Sequence, residues 1–353
     1  MKILVYGAGA VGGYLGARLA HQNHDVTLVA RPTTATMISE HGLFIAETDA
    51  EFRVRPAVVN SIAQAFMDSE TAYDLIIMGM KAYDIPPAID HLVAFCPDPA
   101  AILTIQNGIN AEQPIIDQFG PEKVIAGAFT MPVRRETPNH LVIERSDRGF
   151  GLTAVHPNTD LTPWLTLFQQ TAIPTEVIGN YRAMKWSKAF LNIIGNATSA
   201  ILNRPPGVIY KSDAIFDLEA RMLRETLAVM KALNIPVIDL PGAPAKRLAA
   251  GVRRAPRFIL KPILTRIVDT GRGDKMPSFH IDLYAGKGKS EVLYHNGAIA
   301  KAGQEAGVPT PVNRTLTSVL WALTQEKIDW REFDGRPRRL IAALKQTEQQ
   351  SHA

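Results

Sequence analysis

The stretch ILVYGAGAVGGYLGARLA, residues 3–20, decides the fold class. Its opening residues are apolar and suited to a strand, its second half carries a helical pattern, and Gly7, Gly9 and Gly12 between them form G-x-G-x-x-G. Strand, glycine turn and helix in that order begin a βαβ unit. Gly7 permits the tight turn, Gly9 lets the backbone approach a pyrophosphate, and Gly12 lets helix and strand pack closely. Free N–H groups and partial positive charge at the helix start suit the phosphates of a dinucleotide, so Gly7, Ala8, Gly9, Ala10, Val11 and Gly12 are the expected cofactor loop.

Outward from this loop, the runs KILVYG, DVTLVAR, YDLIIMGMK and AAILTIQNG alternate with helical segments, the rhythm of a parallel sheet. KVIAGAFTM, HLVIER and FGLTAV add further β-like pieces before the helical TPWLTLFQQT and the short IPTEVIG. From about Asn180 the pattern turns helical, over residues 181–202, 212–234, 290–306 and 311–325. The expected fold is α/β: an N-terminal Rossmann-type doubly wound sheet over residues 1–178, binding the nucleotide, followed by a mostly α-helical C-terminal domain over 179–345, holding the substrate. A cleft between two such domains is a favoured ligand site. The terminal KQTEQQSHA reads as a frayed polar tail.

The totals fit a globular protein with two cores: 353 residues, 46% hydrophobic and 20% charged. No apolar run nears the length of a membrane span and the N-terminus has no cleavable signal pattern, so a cytoplasmic protein without a membrane partner is expected. The single cysteine, Cys96, excludes an internal disulfide and a cysteine metal cluster and reads as a small buried hydrophobe. Nine histidines are scattered, and His280 with Asp282 is too small a set for a metal. Residues 245–275 hold nine Lys or Arg against two Asp, net +7 within a chain of net +4, which suits an anionic substrate, an acidic partner or a solvated helical face. That segment lacks interleaved aromatics beyond Phe258, which argues against nucleic acid. GKGKSE at 286–291 resembles the end of a phosphate-binding P-loop, but Leu283 stands where that motif requires glycine.

Two features add chemistry. The second strand pattern ends in Arg31, where enzymes using NAD carry Asp or Glu; a guanidinium meets a 2′-phosphate in bidentate fashion, so NADPH is expected over NADH. In KWSKAFLNIIGNATSAI, residues 185–201, Lys188, Asn192 and Asn196 recur every four residues and would line one helical face over about 12 Å. Such a lysine either snorkels to water or faces a polar cavity, and the two asparagines favour the cavity. Opposite a nicotinamide, an ammonium stabilises the charge developing on a ketone oxygen during hydride delivery and then protonates it.

With these motifs in view, the sequence resembles the ketopantoate reductases (2-dehydropantoate 2-reductases), two-domain oxidoreductases of the 6-phosphogluconate dehydrogenase-like type. The resemblance spans nearly the whole chain and rests on GAGAVGG with Arg31, MKAYD with Lys81, QNGI with Asn107, WSKAFLNIIGNATSAI, PSFHID with Ser278, SEVLYHNG with Glu291, and AGVPTPVN. It implies that Lys188 is the general acid, that Asn192 and Asn196 hold the substrate and Ser278 its carboxylate, that Lys81 and Asn107 reach nicotinamide and substrate, and that Glu291 assists catalysis near the cofactor ribose or the substrate. Taken alone, Ser278 reads equally as a helix cap after Pro277, Glu291 as a surface carboxylate, and Lys81 and Asn107 as ordinary strand-end polar residues.

The sequence departs from the family pattern at Leu293, where Asp is common, at His295 before Asn296, at Lys275, where an asparagine is frequent, and at Pro206, which replaces an asparagine able to contact substrate. The expected activity is NADPH-dependent reduction of 2-dehydropantoate to pantoate, on the way to pantothenate and coenzyme A. A paralogue reducing another 2-oxo acid is the alternative, and a non-catalytic NADP sensor is disfavoured by the retention of Lys188 and Glu291. A homodimer is left open.

Overall fold

The computed structural model describes residues 1–67, 72–271 and 275–352. Two compact units emerge, one of Met1–Gln106, Ala111–Met184 and Leu240–Ala243, the other of Asn107–Asn110, Lys185–Asp239 and Pro244–Ala353. The division thus lies inside a helix, a few residues beyond the expected 178/179 boundary, and two short segments fold with the unit other than the one their sequence neighbours join.

The first unit carries strands β1 (Lys2–Tyr6), β2 (Asp25–Val29), β3 (Leu43–Ala46), β4 (Glu51–Val54), β5 (Ala57–Val59), β6 (Leu75–Met78), β7 (Ile102–Thr104), β8 (Val124–Phe129), β9 (Val133–Thr137), β10 (His140–Ile143), β11 (Phe150–Ala154) and β12 (Thr175–Val177). Helices α1 (Ala10–His21), α2 (Pro32–His41), α3 (Ile62–Ala65), α4 (Ile85–Phe95), α5 (Gln113–Phe119) and α6 (Thr162–Gln169) connect them. Among the described residues, eight strands pair in the order β12-β11-β8-β7-β6-β1-β2-β5. Neighbours from β5 to β8 are parallel, β11 is antiparallel to β8, and β12 is parallel to β11. Strand order reverses at β1, flanked by β2 and β6, the Rossmann switch point at whose carboxyl ends such sheets admit ligands.

Alternation along each strand divides the apolar residues between the two sheet faces. Ile3, Val5, Leu28, Ile77 and Leu103 join one core, whereas Leu4, Val29, Ile76, Met78 and Ile102 join the other. A second sheet, β4-β3-β10-β9, was legible only in β10, because its short strands hold exposed charged residues such as Glu51, Arg53, Arg134 and Arg135. It is tied to α1 by Glu47, which accepts from the Tyr14 hydroxyl at 2.8 Å and pairs with Arg18. Cys96, expected in the core, is half-buried at the end of α4.

The second unit is helical: α7 (Tyr181–Asn192, shared with the first unit up to Met184), α8 (Asn196–Leu202), α9 (Pro206–Ile209), α10 (Asp213–Ala232), α11 (Ala245–Arg254), α12 (Arg257–Gly271), α13 (Ser278–Tyr284), α14 (Asn296–Glu305), α15 (Pro311–Thr324) and α16 (Pro337–His352). The single helix expected over 181–202 is two, because the chain breaks at Ile193–Gly195 with Gly195 at φ +61°. The expected helix 290–306 opens with a 3-10 turn, Glu291–Tyr294. The tail read as frayed is the end of α16, where Arg314 donates to Thr347 O at 2.9 Å and Arg221 pairs with Glu348 at 2.5 Å. Within the basic segment, Arg272 and Asp274 lie outside the described residues. No helix among the described residues is long and apolar enough to cross a membrane.

Three glycines interlock at the carboxyl end of β1. A Cβ on Gly12 would stand 2.4 Å from Gly7 O, and one on Gly79, just beyond β6, would stand 2.3 Å from the same atom. Neither neighbour is a side chain that can swing aside, so both positions demand glycine. Gly79→Ala is expected to cost about 1–3 kcal/mol by forcing β1 and β6 apart, read as a lowered midpoint in denaturant unfolding; an unchanged midpoint would show that the turn relaxes freely.

Candidate active site

In the first unit the loop Gly7–Gly12 leads from β1 into α1, with Gly9 at the helix N-cap. Gly7 adopts φ +109°, and a Cβ there would lie 2.8 Å from Met80 N. Gly9 differs: a Cβ on it would meet only Gly79 O, at an ordinary 3.7 Å. Packing does not require glycine at position 9, and a side chain there would instead occupy the space in front of the α1 N-terminus. That is the cradle a pyrophosphate needs. Arg31 is exposed and caps the start of α2, two residues past β2, and Lys81 is half-buried at the start of a 3-10 turn, Ala82–Asp84, three residues past β6. Gln106, in the same QNGI motif as Asn107, donates to Met78 O at 2.5 Å and Met80 O at 3.0 Å. It braces the carboxyl ends of β6 and β7, a role that its position in sequence alone did not reveal.

In the second unit, Asn107 is exposed and accepts from Asn192 Nδ2 at 3.1 Å. Its segment is held by Ile109 N, which donates to Tyr294 O at 2.8 Å, and by Gly108 at φ +107°, where a Cβ would strike Tyr294 Cβ at 2.7 Å. Asn107 is therefore fixed by the same turn that begins with Glu291, a residue only 4% exposed. Half-buried Lys188 lies one helical turn before Asn192 on α7, whereas Lys185 is 3% exposed.

Asn196 begins α8 beyond the break. Its Nδ2 donates to Asn192 O at 3.3 Å and, weakly, to Ser278 Oγ at 3.5 Å, while its Oδ1 accepts from Phe279 N at 3.3 Å. A primary amide has two donor hydrogens and two acceptor lone pairs. These contacts leave Asn196 chiefly one lone pair, which suits a hydroxyl donor better than a carboxylate. Ser278 is exposed at the first position of α13, with Pro277 at the cap, so its hydroxyl is not the cap itself.

The break that sets this geometry is held from α10. Glu219, fully buried, accepts from Gly195 N at 2.9 Å, Thr198 Oγ1 at 2.5 Å and Tyr210 Oη at 2.9 Å. A second buried carboxylate on α10, Glu225, accepts from Val312 N and Asn313 N at 3.0 Å each and from Asn313 Nδ2 at 2.9 Å, capping α15 where no side chain of its own does so. Burial raises the Glu225 pKa despite these bonds. Asn313 belongs to AGVPTPVN, so this motif is accounted for by packing. At the far end of α8, Asn203, at φ +51°, accepts through Oδ1 from His280 Nε2 at 2.8 Å and donates through Nδ2 to Asp334 Oδ2 at 3.2 Å. Asp282 pairs with Lys287 at 2.5 Å, and among the described residues no three metal-ligating side chains gather. GKGKSE follows α13 as a turn, not a strand, so it lacks the P-loop setting.

Two family models described as ketopantoate reductase PanE/ApbA match the chain, one over residues 3–150 and its C-terminal counterpart over 180–324. The chain belongs to the ketopantoate reductase family. A 2-dehydropantoate 2-reductase of Pyrococcus horikoshii is 27% identical over 332 residues, 93% of this chain and 97% of that one. Among solved structures, a PanE/ApbA family ketopantoate reductase from Ralstonia eutropha superposes with TM-score 0.77 at 24% identity, covering 93% of this chain and 99% of its own. D-mandelate dehydrogenase, solved with NADH and anilino(oxo)acetate, gives TM-score 0.75 at 21% identity over 92% and 99%. The family is one of oxidoreductases, and these likenesses extend the Rossmann-type and helical architecture across nearly the whole chain.

Removing the Glu219 carboxylate leaves a backbone N–H and two hydroxyls without their acceptor. Glu219→Ala is expected to cost roughly 3 kcal/mol or more in chemical unfolding, with Glu219→Gln milder because one acceptor oxygen remains; equal stability of all three proteins would contradict the bracing role. Burial lowers the His280 pKa from 6.5. The unfolded chain then binds the proton more readily, so stability is lost as pH falls below about 6.5 through the lower folded value. His280→Gln keeps a donor toward Asn203 and should flatten that part of the stability–pH curve, measured by thermal unfolding across a pH series.

Proposed function

We propose that the protein is an NADPH-dependent reductase of 2-dehydropantoate, forming pantoate, with the first unit (expected over 1–178) binding the nucleotide and the second (179–345) binding the substrate. The observation that supports this reading most directly is local to the second unit: Asn107, Asn192, Asn196 and Ser278 form one connected set of donors and acceptors, and Lys188 lies one helical turn before Asn192 on α7. Family membership supports the reaction class.

With its pyrophosphate held at the Gly7–Gly12 loop, the dinucleotide's reduced nicotinamide would supply a hydride to C2 of the oxo acid. The other steps belong to side chains. Lys188, as an ammonium, stabilises the negative charge developing on the ketone oxygen and transfers its proton there, giving the hydroxy acid. Asn192 and the Ser278 hydroxyl donate to the substrate carboxylate, and the remaining Asn196 lone pair accepts from a substrate hydroxyl. Asn107 orients Asn192, and with Lys81 it meets the nicotinamide and substrate. Glu291 approaches the cofactor ribose or substrate and assists catalysis. Arg31 receives the 2′-phosphate and so selects NADPH over NADH.

A second reading, reduction of a different 2-oxo acid, draws on the substitutions near the set. Pro206 is buried against Gly195, where a Cβ would lie 3.2 Å from Pro206 Cβ, and offers no polar group to a substrate. Leu293 is 40% exposed. D-mandelate dehydrogenase, with the same fold, was solved with anilino(oxo)acetate and NADH, so the family fold accommodates other 2-oxo acid chemistry.

Lys188→Ala is expected to lower kcat with 2-dehydropantoate by about 100-fold or more while NADPH binding persists, and Arg31→Ala to weaken NADPH by about tenfold while sparing NADH. Steady-state kinetics over a panel of 2-oxo acids, with fluorescence titration of both cofactors, measures each. Turnover of another acid alone would overturn the substrate, and NADPH binding without any turnover would overturn the enzyme.

A further inference from the structure

The basic segment 245–275 has no part in the chemistry above, and within it α12 differs from a solvated polar face. Helix α12 is apolar around most of its circumference. Leu260, Leu264 and Val268, at four-residue spacing, are buried. One position earlier, Ile259, Ile263 and Ile267 repeat the spacing on the outer side, exposed by 43%, 43% and 38%, and Phe258 beside them is 77% exposed. Three isoleucines thus stand in one exposed row with Phe258 about 100° round the helix from it, where soluble proteins scatter such residues singly.

Five cations on or directly before α12 divide into two groups. Arg257 binds Asp217 at 2.7 Å and Asp213 at 2.8 Å, Lys261 pairs with Asp213, and both lie against the Phe216 ring, so these two fasten α12 to α10. Arg253 and Arg254, at the end of α11 and directly before α12, are exposed, and no carboxylate among the described residues pairs with them. Arg266 is also exposed, at the register of Phe258 and Pro262 beside the isoleucine row. Arg257 and Lys261 are thus paired with acidic residues of α10, whereas Arg253 and Arg254 stand exposed just before the apolar row.

We infer that the Phe258–Ile267 face of α12 docks onto an anionic lipid surface. An interfacial helix needs an apolar face to enter the headgroup boundary and cations to meet anionic headgroups, and it need not be long enough to span. Both features coincide on this helix. Arginine beside the row is compatible with insertion, since its stem lies along apolar surface while the guanidinium stays at headgroup level. A second copy of the chain would cover the isoleucines without needing the arginines, and nucleic acid would use the arginines without needing isoleucine. The expectation of no membrane partner rested on the lack of a spanning run, which a peripheral contact does not require.

The test is flotation of the full-length protein with vesicles of phosphatidylcholine alone or mixed with phosphatidylglycerol, at low and high salt. Binding only to the anionic vesicles, weakening as salt rises, is expected. Phe258→Ser with Ile263→Ser, and separately Arg253→Gln with Arg254→Gln, should each reduce partitioning by about tenfold or more. All four positions are exposed, so thermal midpoints should stay unchanged. Absence of flotation, equal binding to both vesicle types, or a dimer in sedimentation that Phe258→Ser with Ile263→Ser dissolves would each overturn the inference, the last by assigning the row to a second copy.

Discussion

The carboxylate of Glu219 accepting from Gly195 N, Thr198 Oγ1 and Tyr210 Oη is the constraint on which the second unit's polar set depends. A glycine with positive φ inside an apolar helical run would ordinarily be a weak point. Here a buried acceptor makes it a fixed corner, turning the chain between α7 and α8 and letting Asn196 reach both Asn192 O and the start of α13. Without that corner the asparagines would follow a straight helical line, and Ser278 would have no bond to it. Glu225 does comparable work for α15 from the same helix, so α10 supplies buried acceptors at two points and organises the unit from within.

Much of the first unit was legible because its signals are local. A strand, a glycine turn and a helix in immediate succession leave few alternatives, and parallel strands buried on both faces write themselves as unbroken apolar runs. The second sheet was hidden for the opposite reason: its strands are short, and exposed residues such as Arg134 and Arg135 blur the alternation. The helix break was hidden because its cause is distant. Glu219 lies 24 residues from Gly195, and nothing within KWSKAFLNIIGNATSAI distinguishes a corner from an isolated glycine tolerated in a helix. Gly79 and Gln106 carry no such local signal, since the contact of Gly79 with Gly7 and the bonds of Gln106 to Met78 O and Met80 O exist only once β1, β6 and β7 are paired.

The candidate site shows the same division. Its members could be named from spacing and resemblance, but their engagement could not. Asn192 bonded to Asn107, and Asn196 spending most of its amide on backbone and Ser278, change two equivalent asparagines into one that presents donors and one that mainly positions. The family supplies the reaction class.

The central claim, hydride transfer to C2 of a 2-oxo acid with proton delivery from Lys188, is tested most directly by isotope transfer. With NADPH deuterated at the transferable C4 position and 2-dehydropantoate in single turnover, the account predicts pantoate carrying deuterium at C2, formed in step with nicotinamide oxidation and lost in Lys188→Ala. Deuterium absent from C2 in a product formed by the native enzyme, or unimpaired transfer by Lys188→Ala, would contradict it.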